Sequence, residues 1–192
     1  DLLEDAQGRF HLDDYSLTTS DFSIRVHDVL MDPDPSIGYS ISVTDFGAPS
    51  SFTFLFSLPI VATGSPNLVN SSLGGTLIDN AGDGVSLTTL LDPTVQSSRV
   101  STGGPLTNLG VDVGPAFAAG AGPAGTSFVD GPHALGPLAG PGPGPWTFFE
   151  TRVSYTLSGD NDNASLSGFS SIDEGATAPV PEAASGVLLG LG

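Results

Sequence analysis

The residues best suited to chemistry in this chain are aspartates set in turns. Asp79-Asn80-Ala81-Gly82-Asp83-Gly84 puts side-chain oxygens at positions 1 and 5 of a loop with glycine at 6, as an EF-hand does around calcium. Ala81 at position 3 and Leu90 at position 12 remove two of that loop's ligands. Asp160-Asn161-Asp162-Asn163 is a second oxygen-rich turn. Both stretches fit Asx-rich hairpin turns, whose side chains bind their own backbone. They also fit a weak extracellular Ca2+ site made by Asp79, Asp83, Asp160 and Asp162.

Other chemistry finds little to work with. His11, His27 and His133 lie far apart, and no G-x-S-x-G elbow marks a serine nucleophile. Glutamates are few: Glu4, Glu150, Glu174 and Glu182. Glu150 alone sits in a strongly patterned segment, and Arg152 two residues on shares its face of a strand and can neutralise it. Gly120-Ala121-Gly122-Pro123-Ala124-Gly125 matches a dinucleotide fingerprint, but no helix can start in such sequence. The absence of cysteine and lysine removes disulfides, thiolate metal sites, Schiff bases and the phosphate-binding lysine loop. The expectation is a protein that is not an enzyme.

Charge narrows the partners. The chain has 192 residues, 21 acidic against 4 basic, for a net charge of −17. All four cations are arginines: Arg9, Arg25, Arg99 and Arg152. A nucleic-acid groove needs cations to neutralise phosphate, so no nucleic acid is expected as partner. An anionic membrane surface is disfavoured for the same reason.

The elements that must position these residues read as strands. Residues 51–61 alternate Phe52, Phe54, Phe56, Leu58 and Ile60 with mostly small polar residues, the period of a strand with one face in a core. Residues 146–157 place Phe149, Val153, Tyr155 and Leu157 on one side. Similar alternation runs through 22–31, 37–45, 67–79 and 85–91, and more weakly through 94–102, 106–113 and 164–172. No helical period of useful length interrupts them. This pattern predicts an all-β fold, an antiparallel β-sandwich of the jelly-roll or Ig-like kind.

Three segments stand apart. Residues 1–21 are acidic and read as an extended arm or a first strand, leaving 22–175 as the sandwich. Between 103 and 145 lie twelve Gly and eight Pro, which cannot supply ladder donors regularly. The expectation there is a long, partly polyproline loop over roughly 114–145, either flexible or an ordered contact arm between subunits. Residues 176–192 form a Pro-rich, then apolar, tail.

That tail carries Val180-Pro181-Glu182-Ala183 followed by Gly186-Val187-Leu188-Leu189-Gly190-Leu191-Gly192. It resembles the PEP-CTERM sorting signal of exopolysaccharide-producing Gram-negative bacteria, with Ala183 in place of the second Pro. F-x-F-x-F-x-x-P-I at 52–60, L-x-D-x-x-G-D-G-V-S-L at 77–87 and L-G-V-D-V-G at 109–114 are similar to the β-rich bodies of that group. The resemblance implies export, sorting at Val180, Pro181 and Glu182, transient membrane attachment through the tail alone, and release to the cell surface or matrix.

Together these readings predict a secreted structural protein of the cell surface or biofilm matrix. It would assemble with copies of itself into filaments or sheets by exchange of strands or arms, drawn from 1–21, 114–145 and 178–192. Edges without lysine are poorly guarded against such pairing. The alternative is an exopolysaccharide-binding module, with Trp146, Tyr39 and Tyr15 as the aromatic candidates.

Overall fold

The computed structural model describes residues 2–61, 67–142 and 144–174. Thirteen strands and no helix are found among them. They are β1 Leu3–Glu4, β2 Phe10–Thr18, β3 Phe22–Asp32, β4 Ser36–Asp45, β5 Ser50–Pro59, β6 Asn67–Asp79 and β7 Gly84–Thr89. Then come β8 Gln96–Ser101, β9 Thr107–Asn108, β10 Phe117–Gly120, β11 Thr126–Ala139, β12 Phe148–Leu157 and β13 Asp162–Glu174. All pair antiparallel, and the fold is the expected all-β sandwich.

One sheet has the order β1-β2-β3-β4-β13-β6-β11. In the other, β12 is central. Ser50–Pro59 of β5 lines the whole of one side of β12. The other side is shared end to end by β8, against residues 148–153, and β7, against residues 155–157. β9 and β10 close that flank.

Alternation places the core between the sheets. Ile37, Tyr39, Ile41 and Val43 of β4 face Phe52, Phe56, Leu58, Phe149, Val153 and Tyr155 of the second sheet. Phe22 meets Phe52 edge-on at 5.5 Å, and Tyr39 stacks on Phe56 at 4.9 Å. These ring contacts set β5 beneath β3 and β4.

A polar thread crosses this core. The Tyr39 hydroxyl donates to Gln96 Oε1 at 2.5 Å. Gln96 Nε2 donates to Ser71 Oγ at 2.5 Å and to Ser170 Oγ and the Phe169 carbonyl, each at 3.2 Å. Ser98 and Ser170 hydroxyls meet at 2.8 Å. Burial pushes the Tyr39 phenol far above its usual pKa, so it stays a donor. The thread ties β4, β6 and β13 of one sheet to β8 of the other. Gly168, opposite Tyr39 in β13, makes room for it: a Cβ there would collide with Gln96 Oε1 and the Tyr39 hydroxyl.

The expected loop over 114–145 is corrected. β10 pairs with β7, and β11 pairs with β6 for most of its length. Proline is tolerated because β11 is the last strand of its sheet, where a missing N–H costs no ladder bond. The two register shifts of β11 fall at Gly131-Pro132 and Gly136-Pro137. Gly131 and Gly136 take φ of +92° and +112° against the β6 backbone, and a Cβ at either would strike a carbonyl of that strand. Of the two readings of residues 1–21, an extended arm or a first strand, the described part takes the second, for β1 and β2 belong to the first sheet.

Gly168→Ala is expected to lower stability by about 1–3 kcal/mol through overpacking of the polar thread. Urea unfolding would show this as a lower midpoint at unchanged slope.

Candidate functional site

The chain crosses between the sheets four times at one end of the sandwich, through residues 46–49, 80–83, 121–125 and 158–161. Register brings these crossings together: Asp162 lies opposite Asp45, Asn163 opposite Ile78, and Thr126 opposite Asp79. A crossing turn exposes amides that no ladder can satisfy, and buried carboxylates take them. Asp45 accepts the Ser50 amide at 2.7 Å and the Ser50 hydroxyl at 3.1 Å. Asp79 accepts Gly82 N–H at 2.5 Å on one oxygen and Gly84 N–H at 2.9 Å on the other. Both glycines have positive φ, which lets the turn fold back onto the carboxylate.

Asp162 differs. Its Oδ2 accepts the Ser158 hydroxyl, and its Oδ1 makes no hydrogen bond of good geometry although the residue is 1% exposed. One carboxylate oxygen each from Asp79, Asp83 and Asp162 lies within 4.8 Å of the others. Asp79 and Asp162 are buried, and Asp83 is exposed at the surface. Burial raises the Asp162 pKa. The Ser158 hydroxyl and the Asn80 N–H oppose the shift, and the negative charges of Asp79 and Asp83 add to it. The four arginines pair with other acids: Arg9 with Asp5, Arg25 with Asp14, Arg99 and Arg152 with Asp92.

Of the four aspartates expected as calcium ligands, the fold therefore gathers three. Asp160 falls outside the group. It occupies the turn at φ +52°, while Asp162, two residues on, opens β13 facing inward. The Asn80 side chain joins the two turns by donating to the Asn161 carbonyl at 2.7 Å.

A second feature lies at the flank of the second sheet. Among the described residues, nothing pairs with the outer edge of β5. Its ten residues hold no charge, and its only proline is the last. Leu55, mid-strand on the outer face, is 59% exposed. The first sheet continues past β5 by two strands, β2 and β1. Tyr15 and Leu17 of β2 lie opposite Val26 and Ile24, so they share the face turned to the core. They remain 50% and 41% exposed because no strand of the second sheet lies under them. The other edges are short, acidic or interrupted by proline. Sequence reasoning missed this edge, since pairing partners are not written in a strand's own residues.

The remaining candidates fall elsewhere. Glu150 faces Arg99 at 3.8 Å, while Arg152 turns to Asp92, so the neighbours of Glu150 come from across the sheet. His11 binds Asp5, His27 binds Ser42 and His133 binds Asp130, at three separate places. Tyr39 and Trp146 are buried and present no ring to a sugar; Tyr15 alone of that set is exposed. Val180, Pro181 and Glu182 lie outside the described residues.

No protein-family model matches the chain, and no curated protein does. Among solved structures, a chain in the structure of infectious bursal disease virus Gx strain is similar over 90% of this chain and 43% of its own length. Identity is 13% and the TM-score 0.29, a likeness too slight to bear on function.

The raised Asp162 pKa fixes the sign of a pH effect. The folded state keeps a proton that the unfolded chain gives up near 3.8. Stability from this group is therefore present at low pH and lost as pH rises from 3.8 through the folded value. Thermal melts in chelator should show wild type losing stability relative to Asp162→Asn over that range.

Proposed function

We propose that this chain is a structural, non-catalytic protein of the cell surface or extracellular matrix that assembles with copies of itself. The contact is a strand added to the open edge of β5. One observation carries the reading: a ten-residue uncharged edge lies beside an apolar shelf made by Tyr15 and Leu17. Main-chain groups along such an edge template a further strand. The shelf would cover that strand as β3 and β4 cover β5.

The geometry selects what fits. A second intact sandwich docked edge to edge would drive its own overhanging β2 into this one. A lone extended segment of a second copy has no such overhang and slides beneath the shelf. Of the segments expected to act as arms, 1–21 and 114–145 are largely taken up, in their described residues, in the chain's own sheets, and 178–192 lies outside the described residues, so the accepting edge is the better-supported half of the contact. Export and release through Val180, Pro181 and Glu182 belong to the same reading. So does the choice of a protein partner over a polysaccharide, which fits the burial of Tyr39 and Trp146.

Sedimentation and negative-stain microscopy of the full chain test this. Wild type should form regular polymers, and more of them as salt screens the −17 charge. Leu55→Lys puts a cation on the edge and Leu17→Asp a charge under the shelf. Both positions are exposed, so each variant should keep the wild-type melting temperature and sediment as a monomer of 19.3 kDa. A monomeric wild type, or variants that polymerise as it does, would overturn the proposal.

A further inference from the structure

We propose that Asp79, Asp83 and Asp162 bind one divalent cation, Ca2+ in preference to Mg2+, which clamps two of the crossings between the sheets. Acidic residues close together are common on protein surfaces, so the inference rests on what sets this group apart. Asp45, Asp79 and Asp162 all stand at the same end and all are buried. In Asp45 and Asp79 both oxygens accept hydrogen bonds from the turn they close. In Asp162, Oδ2 accepts from the Ser158 hydroxyl and the Asn80 N–H lies close enough to favour the carboxylate, but Oδ1 makes no hydrogen bond of good geometry. A buried carboxylate oxygen without a well-placed donor is costly, and this one belongs to a carboxylate that lies beside two others.

Charge points the same way. Three carboxylates within 4.8 Å repel one another, and the arginines stand in ion pairs elsewhere. A bound cation would offset that repulsion and draw on a buried carboxylate that has an oxygen to spare. The donors are all hard oxygens, with no nitrogen or sulfur among them, which selects against softer transition metals. Asp83 at the surface leaves one side open to water. The irregular spacing, imposed by two unrelated turns, suits the tolerant coordination of Ca2+ better than the strict octahedron of Mg2+. Asp79 and Asp83 flank the crossing from β6 to β7, and Asp162 ends the crossing from β12 to β13. One ion would thus hold both turns to each other.

Calorimetric titration of the chelator-treated full chain, with CaCl2 and MgCl2 in separate runs, tests the site. Thermal melts at matched ionic strength accompany it. One Ca2+ per chain is expected, with affinity on the order of 10⁻⁴–10⁻³ M as in extracellular modules, and a higher melting temperature. Asp83→Asn, at an exposed position that leaves the fold intact, should weaken binding about tenfold or more by removing one ligand charge. Asp160→Asn should bind as wild type does. Absence of binding heat and of any thermal shift up to about 10 mM Ca2+ would overturn the proposal. So would an equal shift in wild type, Asp83→Asn and Asp160→Asn, which marks general screening of an acidic protein. Equal affinity for Mg2+ would overturn the preference for Ca2+.

Discussion

Everything in this sandwich depends on how the backbone is satisfied where it leaves one sheet for the other. Inside a sheet each amide finds its carbonyl across the ladder. At a crossing it does not, and the turn is too close to the core for water to serve every group. Aspartate solves this with a short side chain that reaches its own turn. Asp45 holds the crossing into β5, and Asp79 holds the crossing into β7. Asp162 closes the return from β12 with the help of Ser158. Four crossings gathered at one end would otherwise leave a layer of unpaired donors between two packed sheets.

The strands were legible because their faces differ. Residues 51–61 and 146–157 alternate apolar with polar or small, and nothing but a strand buries such a pattern on one side. The Gly- and Pro-rich stretch misled for a reason that is equally physical. Proline costs a ladder donor within a sheet, but at a sheet edge that loss has no cost. Gly131 and Gly136 then provide the positive φ at which β11 skips a register and continues. Whether a strand is central or terminal depends on partners far away in sequence, so neither Pro132 nor Pro137 could declare it.

The carboxylate cluster was half legible for a similar reason. Asx-rich turns identify where oxygens collect. They do not say which side chains turn inward. Asp160 and Asp162 are two residues apart, and the left-handed backbone of Asp160 and Asn161 breaks the alternation between them. That break sends Asp162 toward Asp79 and leaves Asp160 out of the group. The partner turn, some eighty residues earlier, comes into register only through the pairing of β13 with β6.

The two flanks of the molecule are chemically unlike. At one, β11 carries Pro132 and Pro137 and two breaks in register, so its outer rim offers an interrupted row of donors. At the other, β5 offers a straight and neutral row under an apolar roof. A unit built this way has a single acceptor edge, with the opposite rim capped. In the proposed assembly each unit would also donate one segment to the next, so chains would run head to tail, with distinguishable ends, and would not widen sideways into ribbons. Polarity of the polymer would then be inherited from the placement of two prolines.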